Sequence, residues 1–232
     1  MKKEQQCNQD ILDLLAGKSS TKQLVFRQTK DVFKTFKKLL KTIAEELTSN
    51  ICKIDKEVIV EYFDIGEYEA EIRFSGDALI FHMHTNTFTF DKSHFTSQNS
   101  YIKKEPLNGY FGLISMYNFL ADSLRYNRVN DMGHLVGRIF VNREKHFFVD
   151  GKRQFAYMYN SPDTDKVTNE LLRDVIEKTI IYALDFDLTS PNFNDVRVVT
   201  VNQIRSISNE LKISTSKKLG FKMSADKDHP LK

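Results

Sequence analysis

The stretch EYEAEIRFSGDALIFHMHTN, residues 67–86, has the clearest alternation of apolar and polar residues in the chain. Successive side chains of a β-strand point to opposite faces, so this alternation predicts two strands that each have an apolar and a polar face. Gly76-Asp77 suits a two-residue hairpin turn, because glycine accepts the positive φ that such turns require. We therefore predict an antiparallel hairpin in which Ser75 lies opposite Ala78.

This register assigns side chains to the two faces of the hairpin. On the polar face, Glu71 would lie opposite His82, and Glu69 would lie opposite His84. A shift of one residue would set apolar side chains against charged ones, so the register is favoured by burial of one face. The predicted apolar face consists of Ala70, Ile72, Phe74, Leu79, Phe81 and Met83.

His82 and His84 are the only closely spaced histidines in the sequence. Two imidazoles at positions i and i+2 of a strand point the same way and can share a divalent metal ion, and Glu69 and Glu71 could complete its coordination. The alternative interpretation is an exposed polar face, on which Glu–His pairs contribute only a few tenths of a kcal/mol each. Exposed charged faces are the ordinary case, so we favour the exposed polar face. The metal site remains the competing hypothesis.

Composition limits the classes of protein that the chain can represent. Of the 232 residues, 41% are hydrophobic and 28% are charged, which is ordinary for one large or two small globular domains. Two cysteines, Cys7 and Cys52, are too few for a disulfide scaffold or for a zinc site made of thiolates alone. The sequence has no signal-peptide pattern and no apolar run of membrane-spanning length. We expect a cytoplasmic protein without a membrane span.

The rest of the chain alternates between helical and strand patterns. Apolar residues at three- and four-residue steps predict three main helices, over residues 22–49, 109–126 and 161–184, after a shorter helix that ends near Gly17. Besides the two hairpin strands, strands are predicted at residues 58–63, 134–141, 146–149, 153–159 and 196–201. The predicted fold class is α+β, with antiparallel sheet of about seven strands packed by three main helices.

We expect residues 1–212 to form a single α+β domain, followed by a polar and basic tail at residues 213–232. A helix precedes each group of three strands, so an α-βββ pseudo-repeat with halves at 22–92 and 108–201 is a further hypothesis. No sequence match between the halves accompanies it. Residues 92–107 are polar and irregular, and are predicted to form a long loop or a subdomain boundary.

Charge is distributed unevenly, although the net charge is only +3. Residues 1–50 contain ten Lys and Arg against six Asp and Glu, whereas residues 55–92 contain three against nine. A helix at residues 22–49 with a basic stripe could bind nucleic acid, an anionic membrane surface or an acidic partner. Alternatively, its lysines could face the acidic residues 55–92 of the same chain or of a second copy. The lysine stripe of the predicted helix consists of Lys30, Lys34, Lys37, Lys38 and Lys41.

Basic and aromatic residues also alternate between residues 134 and 160. Such interleaving can bind single-stranded nucleic acid, but aromatic side chains on a sheet more commonly belong to the core. We predict the second arrangement.

No Gly-rich phosphate loop and no Ser–His–Asp or Cys–His pattern is recognisable in the sequence. We therefore expect a non-catalytic module that binds a ligand or a protein, with a homodimer through the helix at residues 22–49 as one arrangement. The first alternative is a metal-dependent enzyme that uses His82 and His84, with a divalent metal as its cofactor. The second is a nucleic-acid-binding protein that uses the basic helix.

Overall fold

Residues 2–51 form one continuous helical run. Helix α1 (Lys2–Leu14) continues through a π-helical turn (Leu15–Ser19) into the 32-residue helix α2 (Ser20–Ile51). The predicted break near Gly17 is therefore wrong, because the polar residues that follow it remain helical. The computed structural model describes residues 2–151, 159–185, 188–189, 200–202 and 221–222.

Six strands form one antiparallel sheet in the order of the sequence, so each strand pairs with the strand before it. The strands are β1 (Val60–Gly66), β2 (Glu69–Phe74), β3 (Asp77–Met83), β4 (Phe111–Leu120), β5 (His134–Asn142) and β6 (Phe147–Gly151). The helical segments around β4 are α3 (Phe95–Gln98), α4 (Ser100–Lys104), a 3-10 turn (Pro106–Gly109) and α5 (Ala121–Arg125). After the sheet come α6 (Asn169–Leu184) and a separate parallel pair, β7 (Leu188–Thr189) and β8 (Phe221–Lys222).

The α+β class and the antiparallel sheet are confirmed. The α-βββ pseudo-repeat is not confirmed, and strands from both predicted halves join one sheet because β3 pairs with β4. Helix α6 ends where predicted but begins at Asn169, where the Thr168 side chain caps it, eight residues after Ser161. The strands predicted at 153–159 and 196–201, and the basic tail, fall almost entirely outside the described residues.

The predicted hairpin forms with the expected faces, but its register differs by two residues. Ile72 pairs with Leu79, and the loop consists of Ser75 and Gly76 rather than Gly76 and Asp77. Ser75 has a φ of 56°, so the serine adopts the positive φ at this turn. A shift of two residues keeps every side chain on its face, because the side-chain period of a strand is two.

The helix predicted at residues 109–126 is wrong, since these residues form strand β4 and the short helix α5. The first six residues of β4 are all buried, so this strand has buried side chains on both of its faces. Burial on both faces removes the alternation that identifies a strand, and the resulting apolar run also fits helical spacing. The long helix was therefore predicted from a central strand.

Helices α2 and α6 pack on one face of the sheet, which we call the inner face. All six strands and both helices contribute side chains to this core. At its centre, the ring of Phe36 from α2 contacts the ring of Phe81 from β3, with centroids 4.8 Å apart. Helices α2 and α6 therefore form the layer that packs on the inner face of the sheet.

Helix α2 comes closest to the sheet where Thr29 lies against Gly112 of β4. A Cβ atom on Gly112 would lie 2.7 Å from Thr29 Cβ and 2.8 Å from Thr29 Cγ2. Thr29 is fully buried, and its hydroxyl donates a hydrogen bond to the Val25 carbonyl at 2.8 Å. Only glycine at position 112 therefore permits this distance between helix and sheet.

The opposite, outer face is partly covered by the segment that joins β3 to β4. The ring of Phe90 lies 5.1–5.8 Å from the rings of Phe111, Phe140 and Phe148 on the sheet. We call this second cluster the outer core; its buried members are Ile102, Phe111, Leu113, Phe140 and Phe148. The segment predicted as a loop at residues 92–107 thus folds as short helices that cover one part of the sheet.

Within the described residues, no helix combines the length and the hydrophobicity that a membrane crossing requires.

We predict that Gly112→Ala lowers the free energy of unfolding by about 1–3 kcal/mol, the usual cost of overpacking a core. The added methyl group must displace Thr29 or the whole of α2. Gly17→Ala is the matched control, because no atom lies within 4 Å of a Cβ at that position. Urea denaturation measures both changes, and a Gly112→Ala protein as stable as wild type would contradict the close crossing.

Candidate functional site

A row of polar side chains crosses the outer face from β2 to β6. The pairing of the strands places Glu69 opposite His82, His82 opposite Ser115, Ser115 opposite Arg138, and Arg138 opposite Asp150. Directly opposed residues have Cβ atoms about 4.5–5.5 Å apart, so these five side chains are neighbours. Arg138 Nε donates a hydrogen bond to Asp150 Oδ2 at 3.0 Å. We call these five residues the polar row.

The outer core lies on one side of the polar row, and a half-exposed apolar surface lies on the other. The next row across the sheet contains Phe63, Ile80, Tyr117 and Leu135. Phe119 lies beyond Tyr117, with the two ring centroids 6.5 Å apart. Leu135 is 42% exposed and the other four side chains are half-buried. We call these five residues the open face.

The loop between α5 and β5 extends this apolar surface. Gly133 lies directly against the ring of Phe119. Its neighbour Met132 is 87% exposed, and Val129 in the same loop is 79% exposed. The loop that contacts the open face therefore carries two further exposed apolar side chains.

Glu71 lies between Phe63 and Ile80 in the row of the open face, but it is only 3% exposed. Its carboxylate accepts a hydrogen bond from the Arg73 guanidinium, which in turn lies 4.4 Å from the centroid of the Phe63 ring. A buried carboxylate requires such a partner to offset the loss of its hydration. The Glu71 carboxylate is thus buried and paired with Arg73.

The pairing of the strands separates the four predicted metal ligands. His82 is exposed and lies opposite Glu69, whereas Glu71 lies opposite Ile80 and not opposite His82. Within the described ranges, no three His, Cys, Asp or Glu side chains are grouped closely enough to hold a metal ion. Glu69 lies opposite His82, whereas the predicted register placed Glu69 opposite His84 and Glu71 opposite His82.

His84 lies beyond the end of β3, outside the paired strands. Its Nδ1 accepts a hydrogen bond from the backbone N–H of Asn86 at 3.0 Å, and its ring packs edge-on against Phe88 at 5.0 Å. His84 therefore helps to turn the chain toward the outer core. The metal site with His82 stays a prediction.

Two lysines of the α2 stripe face the edge strand β1, along which the helix runs antiparallel. Lys30 pairs with Glu67, and Lys37 pairs with Asp64 while donating a second hydrogen bond to the Gly66 carbonyl at 2.7 Å. Lys30 and Lys37 therefore face the acidic region of the same chain, as one of the sequence interpretations expects.

Helix α2 also occupies hydrogen-bonding groups of the sheet edge. Besides Lys37, Thr48 reaches β1, where its hydroxyl donates to the Val60 carbonyl at 2.8 Å. Unpaired groups of an edge strand otherwise attract strands of other molecules. Lys37 and Thr48 thus protect the edge of the sheet.

The other three lysines of the stripe lie among carboxylates on the solvent side. Lys34 Nζ is 4.0 Å from an oxygen of Asp31, and Lys41 Nζ is 3.9 Å from an oxygen of Glu45. Lys38 is exposed between them. The accessible side of α2 therefore carries charges of both signs, and binding of nucleic acid there stays a prediction.

The aromatic side chains of β5 and β6 belong to the cores, as the sequence predicts. Phe140, Phe147 and Phe148 are each at most 4% exposed. Arg138 and Lys145 are exposed, and the half-buried Arg143 donates from its Nε to Asn108 Oδ1 at 2.7 Å. Residues 152–158 of this pattern lie outside the described residues.

No pattern in the sequence brings Ser115, Tyr117 and Leu135 together on the outer face of the sheet. Ser115 and Tyr117 fall in the strand that was predicted as a helix, so their position beside His82 and Ile80 was hidden. The alternation of residues 134–141 identifies a strand but gives no information about which strand lies beside it. Only the pairing of β4 with both β3 and β5 brings these residues together.

Comparisons with models of protein families, with curated proteins and with solved structures find no match to this chain. The surfaces described above are therefore the basis for a proposal about function.

Arg73→Met should lower the free energy of unfolding by about 3 kcal/mol, because it leaves the buried Glu71 carboxylate without its charged partner. The double variant Glu71→Leu, Arg73→Met should recover most of the loss, since two apolar side chains replace the ion pair. Chemical denaturation measures both proteins. Unchanged stability of Arg73→Met would show that the pair does not bury a charge.

The pair of Lys30 and Glu67 should make stability depend on pH. The pKa of Glu67 lies below its ordinary value of 4.5, chiefly because Lys30 donates a hydrogen bond to it. A lowered folded-state pKa means that the contribution is present above pH 4.5 and is lost as pH falls through the folded value. Lys30→Met should therefore reduce the Tm at pH 7, and reduce it by less at pH 3.

The control for this pH dependence is Lys38→Met on the same helix, since Lys38 is exposed to solvent. It should leave the Tm unchanged at both pH values. A Tm difference between Lys30→Met and wild type that is equally large at pH 7 and pH 3 would contradict the role of Glu67.

Proposed function

We propose that the protein is a non-catalytic binding module, and that a protein partner docks on the open face. The observation that carries this proposal is the half-exposed apolar row of Ile80, Tyr117 and Leu135, which continues into Phe119 and Met132. Apolar patches bordered by polar residues are typical of surfaces that bind other proteins. Aromatic side chains and methionine are also enriched in the centres of such interfaces.

The charges around the open face suggest the chemistry of the partner. Arg73 and Arg138 are each bonded to a carboxylate of the sheet. Glu61 lies on β1 and Glu69 lies on β2. Neither carboxylate forms an ion pair within the described residues. A partner that presents apolar side chains, with lysine or arginine toward β1 and β2, would complement both features.

The test begins with a photoreactive amino acid in place of Leu135, in cells that express the protein natively. A second protein with the same amino acid in place of Lys38 is the control, because Lys38 is exposed on the opposite layer. A discrete adduct is expected from position 135 and not from position 38.

The partner in that adduct is then purified, and its affinity is measured with defined variants. Leu135→Asp and Tyr117→Asp should weaken binding by about tenfold or more, as loss of a central contact does. Lys38→Met should bind as wild type. Affinity that is unaffected by both open-face variants would overturn the proposal, as would an absence of adducts specific to position 135.

Metal analysis and nucleic-acid binding distinguish the two alternatives from this proposal. Stoichiometric metal in the purified protein that is lost in the variant His82→Ala, His84→Ala would favour the metal-dependent enzyme. Affinity for nucleic acid that falls steeply with salt, and that is lost in Lys34→Ala, Lys38→Ala, Lys41→Ala, would favour the nucleic-acid binder. The proposal expects neither result.

A further inference from the structure

The helical run that begins the chain carries an apolar surface that the rest of the described fold leaves uncovered. Every side chain from residue 6 to residue 16 is exposed. We call residues 6–18 the arm. Its four large apolar side chains, Ile11, Leu12, Leu14 and Leu15, are 49%, 57%, 62% and 54% exposed. Isolated helices of this length are marginally stable in water, so burial of this surface would stabilise the arm.

We infer that the arm binds the arm of a second copy in an antiparallel, reversible homodimer. At about 100° per residue, Ile11 and Leu14 share one stripe of α1 with Cys7. Leu15 and Lys18 follow in the π-helical turn, one and four residues after Leu14. This spacing of three and four residues is the one by which helices pack against each other.

The charges on the arm favour a second copy in the antiparallel direction. Asp10 and Lys18 each lie four residues from Leu14, on opposite sides along the chain. Two arms that cross antiparallel at Leu14 therefore place Asp10 of each copy beside Lys18 of the other. A parallel pair would set like charges at the same level, which is unfavourable. The arm is thus complementary to itself in one direction only.

The same charges disfavour other partners for this surface. Asp10 and Asp13 accept hydrogen bonds from Gln6 and Gln9, which are neutral and leave the carboxylate charges uncompensated. The Asp10 carboxylate, which lies beside Leu14 on the helix, would be repelled by an anionic lipid surface or by nucleic acid. A second copy instead supplies a lysine at the level of Asp10.

The homodimer predicted through residues 22–49 has less apolar surface to use. The accessible side of α2 carries Lys34, Lys38 and Lys41, and its first exposed large apolar side chain is Leu47, at 37%. The arm therefore offers the larger apolar contact. Because a helix of about 13 residues is only about 20 Å long, the interface is small and the dissociation constant should be micromolar.

Sedimentation of the full chain over a range of concentrations tests this inference. Wild type should shift from monomer to dimer as its concentration rises. The variant Leu14→Asp, Leu15→Asp should weaken dimerisation by about tenfold or more. Ile54→Asp is the matched control, because Ile54 is 83% exposed outside the arm, and it should dimerise as wild type does. At a concentration at which wild type is monomeric, all three should have the same circular dichroism and Tm.

Charge reversal tests the direction of the pair. Asp10→Lys alone and Lys18→Asp alone should each weaken the dimer, and the two together should restore it. A wild-type protein that stays monomeric at every concentration would overturn the inference, as would a dimer that is insensitive to Leu14→Asp, Leu15→Asp. Failure of the double charge reversal to restore the dimer would overturn the antiparallel arrangement.

Two further measurements separate the arm from other surfaces and partners. Leu135→Asp should leave the dimer unchanged, so this inference and the proposed function of the open face can fail independently. Binding of a monomeric wild-type protein to vesicles of anionic phospholipid, lost in Leu14→Asp, Leu15→Asp, would assign the arm to a lipid surface and overturn the inference.

Discussion

Burial of strand β4 on both of its faces is the constraint on which the rest of the structure depends. On the inner face, Gly112 allows Thr29 of α2 to approach the backbone of the strand closely. On the outer face, Phe111 and Leu113 are covered by the segment that joins β3 to β4. A central strand with apolar side chains on both faces needs a layer on each side, because either face would otherwise expose a large apolar surface. The chain supplies the second layer with short helices.

That second layer covers only part of the sheet, and this asymmetry creates the candidate site. The polar row from Glu69 to Asp150 marks the line where the cover ends. Beyond it, the sheet presents Ile80, Tyr117 and Leu135 at partial exposure instead of the charged side chains that a solvated sheet face usually has. The buried pair of Glu71 and Arg73 keeps this surface free of an uncompensated charge. An incomplete outer layer thus leaves an apolar surface that suits a protein partner.

The sequence contains enough information to predict the hairpin faces, the long helix α2 and the pairing of its lysines with the acidic residues. Each of these depends on local spacing or on charge, which a single sequence displays. The two-residue error in the hairpin register arises because Ser75 adopts the positive φ that glycine normally adopts. Strand β4 could not be recognised, because burial on both faces removes its alternation. The open face combines residues of β4 with residues of three other strands. It could therefore not be predicted without recognition of β4.

The most direct test of this account compares the two parts of the outer face. Leu113 is 9% exposed in the outer core, and Leu135 is 42% exposed on the open face. In a protein with Cys7→Ser and Cys52→Ser, the variants Leu113→Cys and Leu135→Cys would be labelled with a maleimide under native conditions. We expect Leu135→Cys to react at least about tenfold faster, because labelling at position 113 requires local opening of the outer layer. Equal rates at the two positions would contradict the division of the outer face into a covered and an open part.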